Sequence, residues 1–212
     1  MTTKRYLTLI SLAFFITVLT SCETLFFKMY GMKKIKPISA KTILQYSKKY
    51  NIPLADSYEL DTSFISFIYS IDTLKYKEQC KNHYQPLQAL YYDKSGQMQS
   101  FHINCYASGF PNLNWGRNST LTEFPPKLQA PIDSILPLEK QLGYLRPLSS
   151  TEKLTTNNYD FFVIVYWDRF MGRQSKRLIH FIQDNCKLAI NKKVKIIYVN
   201  NDNFFIAVDN RK

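Results

Sequence analysis

The chain has 212 residues, 45% of them hydrophobic and 15% aromatic, and its 28 Lys and Arg outweigh 16 Asp and Glu to give a formal charge of +12. That length suffices for one domain, or two small ones, with a real core. Its acidic residues are scattered and it has only three histidines. No carboxylate pair, Ser-His-Asp order or Gly-rich phosphate loop stands out, so no cofactor is expected and nothing argues for an enzyme.

At the N-terminus, Lys4 and Arg5 form a short positive region, and Tyr6 to Val18 follow as an uncharged apolar run broken by Thr8, Ser11 and Thr17. Spanning the hydrocarbon of a bilayer takes about 20 apolar residues, so this run reads as a signal peptide rather than a mature helix. It ends in Leu19-Thr20-Ser21-Cys22, which resembles the lipobox of bacterial lipoproteins. The resemblance implies removal of residues 1–21, lipid on Cys22, and a place in the cell envelope, anchored to a bacterial membrane and facing the periplasm or the surface. The alternative is an ordinary signal peptide that carries a cysteine. Two or three acyl chains hold a protein firmly where one does not. Loss of Lys4 and Arg5 takes the charge only to +10, an excess that suits anionic lipid or outer-membrane phosphate. Nucleic acid is a poor partner for an exported lipoprotein.

Residues 22–38 read as lipid anchor and tether, with Phe26 and Phe27 suited to the interface and Lys33, Lys34 and Lys36 to head groups. Ser39 caps a predicted helix from Ala40 to Tyr50, stopped by Asn51-Ile52-Pro53. Between Thr62 and Ile71 the spacing of Phe64, Ile65, Phe67, Ile68 and Ile71 fits a helix face better than a strand. Asp72 to Tyr84 also reads as helical. Gln88 to Tyr92, the turn Asp93-Lys94-Ser95-Gly96, and Gln97 to Cys105 form a predicted β-hairpin.

From Tyr106 to Pro137 the chain is rich in Pro, Gly, Asn and Ser. A loop this long in a compact domain is either an ordered functional loop or a cover for a sheet edge. Phe110, Trp115 and Phe124 argue against disorder and make the loop a candidate contact surface. Leu138 to Leu145 is a predicted short helix, and Arg146 to Asn158 a connector. Phe161 to Trp167 is an unbroken apolar run of the kind buried on both faces of a sheet. A helix over 174–190 follows, with Leu178, Ile179, Ile182, Cys186 and Leu188 to Ile190 toward the core, and then a strand over Val194 to Val199. The fold class is therefore α/β or α+β: helices and a hairpin in 39–150, then a βαβ unit in 151–212, as two parts or one domain.

Around Val165-Tyr166-Trp167-Asp168-Arg169-Phe170-Met171-Gly172-Arg173-Gln174 this unit resembles the opening of a thioredoxin-like domain. Phe170 falls where that family has the Trp before its motif, and Met171, Gly172, Arg173 and Gln174 fall at Cys-Gly-Pro-Cys. Both redox cysteines are thus replaced, and thiol–disulfide exchange needs a thiolate that a thioether and an amide cannot supply. The chain stops soon after the second strand. Either the fold is truncated or permuted, with the 88–105 hairpin completing the sheet, or the likeness is that of a generic βαβ unit.

In an oxidising envelope Cys80 and Cys105 are candidates for a disulfide, while Cys186 reads as an ordinary buried thiol. Cys80-x-x-His83 and His102-x-x-Cys105 also offer two sulfurs and two imidazoles at spacings that suit zinc, although residues three apart on a strand face opposite sides. Asp72-Thr73-Leu74 and Asp133-Ser134-Ile135 resemble O-glycan acceptor triplets of some Gram-negative periplasms. The function expected is a non-catalytic envelope lipoprotein serving binding or assembly, with an envelope protein, a glycan or anionic lipid as partner. The alternatives are a redox protein using non-standard cysteines and a glycan- or lipid-binding surface module.

Overall fold

The computed structural model describes residues 31–149 and 158–210. The expected signal peptide at 1–21 and the expected lipidation site Cys22 lie outside the described residues. Six strands form one mixed sheet: β1 (Ser57–Leu60), β2 (Gln88–Asp93), β3 (Met98–Ile103), β4 (Leu145–Pro147), β5 (Phe161–Trp167) and β6 (Val194–Asn200), in the spatial order β3-β2-β5-β6-β1-β4. The central strands β5, β6 and β1 run parallel, whereas the β2–β3 hairpin and β4 pair antiparallel with their neighbours. Strands from both sides of the expected 150/151 boundary share this sheet.

Among the described residues seven α-helices accompany it: α1 (Ala40–Lys49), α2 (Phe64–Ser70), α3 (Lys77–His83), α4 (Asn104–Ala107), α5 (Leu138–Leu142), α6 (Gly172–Cys186) and α7 (Asp202–Asp209). The α1 start is set by Ser39, whose hydroxyl accepts from Thr42 N at 3.3 Å, satisfying one of the amides that a first helical turn leaves orphaned. Asn51, at φ 59°, turns the chain away after α1. The helix expected across 72–84 is confined to α3, because Asp72 Oδ1 accepts from Leu74 N and Lys75 N and closes a turn there instead.

The apolar run of β5 is explained by burial on both faces. Phe162, Ile164 and Tyr166 pack with Phe64, Ile68, Phe101 and Phe204 on one side. Val163, Val165 and Trp167 pack with Ile43, Leu178, Ile179 and Ile182 of α1 and α6 on the other. Each side chain on such a strand alternates between two dry layers, so no polar residue interrupts the run.

The long loop covers the edge of β3. Ala130 N donates to Phe101 O at 2.9 Å, Ile103 N to Gln129 Oε1 at 3.0 Å, and His102 Nε2 to Lys127 O at 3.1 Å, so unpaired edge groups are satisfied without another strand. From the far side Asn185 Nδ2 grips Leu121 O and Glu123 O at 3.0 and 2.7 Å, while its Oδ1 accepts from Tyr91. The expectation of one aromatic contact surface on this loop is corrected accordingly. Trp115 is fully buried, Phe124 is half-buried with its ring 5.9 Å from Tyr91 and 5.0 Å from Phe161, and Phe110 is 58% exposed. Aromatics that cover an edge face inward because the core is what holds the cover down.

A second correction concerns the end of α6. It stops at Cys186, not 190, and a series of tight turns through Lys187 to Ile190 follows. The 3.6-residue phase is lost there, so Leu188 and Ile190 face solvent at 45% and 79% exposure instead of joining the core.

Candidate functional site

In sheets with parallel strands, functional groups collect at the carboxyl ends of those strands, where loops diverge. Here that edge is formed by Asp168 and Arg169 after β5 and by Asn200, Asn201 and Asp202 at the end of β6. All five side chains belong to buried residues, Asp168, Asn200 and Asp202 completely. Asp168 organises the β5–α6 turn: its Oδ1 accepts from Met171 N at 2.5 Å, and its backbone exchanges hydrogen bonds with the Ser175 hydroxyl. Asp202 Oδ2 accepts from Arg169 N at 2.6 Å and from Asn200 Nδ2 at 2.9 Å, joining the two strand ends. Asn201 reaches across to the start of β2, donating to Pro86 O at 2.8 Å.

Burial, reinforced by the mutual repulsion of the two carboxylates, raises the pKa of Asp168 well above the usual carboxylate range, and that of Asp202 is raised as well. The Arg169 guanidinium opposes this, with Nε 4.0 Å from Asp202 Oδ1. Among the described residues Asp168 Oδ2, Asp202 Oδ1 and Arg169 Nε have no hydrogen-bond partner. Two carboxyls facing one cation in a dry site favour a state in which one carboxyl keeps its proton. Because Arg169 supplies the positive charge, the cluster is not suited to a metal ion.

The positions that the thioredoxin-like resemblance assigns to a redox motif sit directly above. Met171 is buried. Gly172 opens α6 with no room for a side chain, since a Cβ there would lie 2.6 Å from Tyr50 Oη. Arg173 is exposed. Gln174 is buried and donates through Nε2 to Pro111 O at 2.5 Å, fastening the long loop beside Phe110. Tyr50 closes the remaining side with its ring edge-on to Trp167 at 5.5 Å.

Residues 31–38, read from sequence as the end of a tether, are strapped across this edge. Lys33 N donates to Phe170 O at 2.7 Å, and Arg169 Nη2 donates to Lys34 O at 2.8 Å. Asn203 holds Ile38 by both backbone groups, accepting from its N at 3.0 Å and donating to its O at 2.9 Å. Gly31, at φ 68°, passes so close to α6 that a Cβ would meet Arg173 Cβ at 2.9 Å. Met32 and Ile38 pack against the core layer beneath α1 and α6.

The cysteines lie elsewhere, and Cys80, Cys105 and Cys186 are all free thiols. Burial raises the pKa of Cys80, and that of Cys186 is pushed up to about 12. Cys105 is exposed, with its Sγ 2.9 Å from Gln85 Oε1. The zinc spacing is not assembled: His83 Nε2 is 3.1 Å from both Asp133 carboxylate oxygens and its ring stacks on Phe101, while His102 is spent on Lys127 O. Among the described residues no group of three His, Cys, Asp or Glu could hold a metal ion. In the glycan-like triplets Thr73 and Ser134 are exposed.

Sequence reasoning missed the Asp168–Arg169–Asp202 cluster and Tyr50. The available signal was polar residues placed immediately after two buried strand runs, Asp168-Arg169 and Asn200-Asn201-Asp202. Compared with family models, curated proteins and solved structures, the chain matches none of them.

Proposed function

We propose that this protein is a non-catalytic envelope lipoprotein: a lipid-anchored α/β domain whose thioredoxin-like region has lost redox chemistry and serves binding or assembly. The observation that carries this reading is the closure of the Met171–Gln174 segment. It holds no thiol, packs under Tyr50, and is crossed by residues 31–38, which supports a segment that offers neither a redox nucleophile nor access to one. Raised pKa values at Cys80 and Cys186 give further support, because exchange requires thiolate. The position of the hairpin beside β5 supports a permuted thioredoxin-like arrangement, in which the pair of antiparallel strands comes before the βαβ unit in sequence.

The test is mass spectrometry of the protein from its native membrane, intact and after digestion without reduction. Diacylglyceryl mass on Cys22 together with free Cys80, Cys105 and Cys186 is the expected result. An unmodified Cys22 removes the anchor. A reversible disulfide among the other three cysteines, with turnover of a protein disulfide substrate, replaces this reading with redox activity.

A further inference from the structure

The strap does more than close the edge of the sheet. Residues 31–55 carry six lysines and no acidic side chain, and residues 169–183 carry Arg169, Arg173, Lys176 and Arg177, again with no acid. The fold brings these two stretches together. Gly31 lies against Arg173, Lys33 is bonded to the β5–α6 turn, and the ring of Tyr46 on α1 has Lys33 Nζ 4.7 Å and Lys49 Nζ 5.9 Å from its centroid. Lys33 also donates to the Tyr46 hydroxyl. That bond, with the charges of Lys33, Arg169 and Lys49, lowers the Tyr46 pKa, as a locally positive potential should. Lys33, Lys34, Lys36, Lys49 and Arg173 are exposed, and among them Ile35 stands 42% open to solvent. Among the described carboxylates of adjoining elements, Asp168 and Asp202 are fully buried and Glu59 Oε1 is turned to Asn203, which leaves basic side chains in excess on this face.

We propose that this face, formed by residues 31–38, the last turn of α1 and the first turn of α6, docks on the anionic head groups of the membrane that anchors the chain. The proposal rests on lipidation at Cys22. From Cys22 to Gly31 a fully extended chain reaches only about 30 Å, and the strap is fixed to the domain at its far end. The tether therefore joins the domain at the carboxyl edge of the parallel strands, and the basic charge there turns that edge to the bilayer. Lysines and an arginine around one exposed aliphatic side chain match such a surface, where each basic residue near anionic lipid strengthens binding about fivefold. The opposite end of α6, about 22 Å away along a 15-residue helix, with Ile190, Lys192 and Lys193, faces away from the membrane.

Amine-reactive footprinting of the full lipidated protein tests this with its own lysines as the probes. The protein is placed in phosphatidylcholine vesicles with or without phosphatidylglycerol, and modification of each lysine is read by mass spectrometry. Lys33, Lys34, Lys36 and Lys49 are expected to react at least about fivefold more slowly in the anionic vesicles, with 0.5 M salt reversing the protection and Lys192 and Lys193 unchanged. Lys36→Ala and Arg173→Ala are each expected to weaken docking about fivefold. Equal protection of both ends of α6, or none, overturns the proposal. Protection in native membranes but not in pure lipid vesicles assigns the face to a protein and also overturns it. The same digest reads lipid on Cys22. If it is absent the anchor reading fails, and salt-sensitive cosedimentation of that unlipidated protein with anionic vesicles alone then upholds the surface, whereas its absence refutes it.

Discussion

The two ends of α6 are built on opposite plans. At its N-terminal end Asp168, Arg169, Gln174 and Asp202 are buried and hydrogen-bonded to β6, the strap and the long loop, and Gly172 leaves no space under Tyr50. At its C-terminal end Leu188, Ile190, Asn191, Lys192 and Lys193 are exposed, and the polar contacts are local turns plus hydrogen bonds from Asp160 N and Phe161 N to Lys193 O and from Lys193 N to Asp160 at the start of β5. Both ends connect the same helix to the same pair of parallel strands, so the chain connectivity does not demand the difference. What separates them is desolvation. A polar group removed from water must find partners with correct geometry, and once it has them any change is costly, whereas an exposed end is free to vary.

The largest effect is expected at the buried end. Arg169→Ala removes the guanidinium facing two buried carboxyls and strands Lys34 O, and should cost about 3–5 kcal/mol in denaturant or thermal unfolding. If the loss is small, the cluster is not the anchor of this edge. The same cluster has a signed pH dependence. Asp168 and Asp202 have raised folded-state pKa values, so the native state holds protons that the unfolded chain gives up. Their contribution is fully present below the ordinary Asp pKa and declines as pH rises through the folded-state values. Asp202→Asn should flatten that decline relative to the parent protein, and a variant with unchanged pH dependence would reject the assignment.

Thiol reactivity sharpens the comparison at the other end. Cys186 closes α6 with its pKa pushed up to about 12 by burial, against an ordinary 9.0, which lowers its thiolate fraction near neutral pH roughly a thousandfold. Alkylation of the native protein should therefore modify exposed Cys105 first and reach Cys186 only on unfolding. Comparable rates at both would mean that the C-terminal end opens readily.

A smaller effect isolates one contact. Gly172→Ala pushes a methyl into Tyr50 Oη and should cost about 1–3 kcal/mol. Tyr50→Phe removes that oxygen, so the double variant should recover part of the loss, and additive losses would show that the clash lies elsewhere. The smallest effect belongs to the exposed end: Ile190→Ser should shift stability by no more than about 0.5 kcal/mol. A larger change there would erase the contrast.

Legibility in the sequence follows how local the determining forces are. The helix at 40–49, the hairpin and the strand–helix–strand unit were readable because periodicity, a cap and a turn each act within a few residues. The short strands β1 and β4 were not, since three or four residues carry no periodic signal and gain strand geometry only by pairing with β6 and with each other. The loop at 106–137 was recognisable as ordered from its aromatics and prolines, but which way Trp115 and Phe110 point depends on where the edge of β3 lies. The strap at 31–38 read as linker because its lysines and proline are what a linker contains. Its attachment comes from Arg169 and Asn203, more than 130 residues away.

The uncharged apolar run at 6–18, the α/β class, the elements of the C-terminal third and the absence of cysteine from positions 171–174 were fixed by the sequence alone, because each is a property of consecutive residues. Only the tertiary structure decided the sheet order, the covering of its edge, the buried Asp168–Arg169–Asp202 cluster and the basic face around the strap. These depend on burial and on charge brought together across the chain, and neither quantity exists until distant segments have packed.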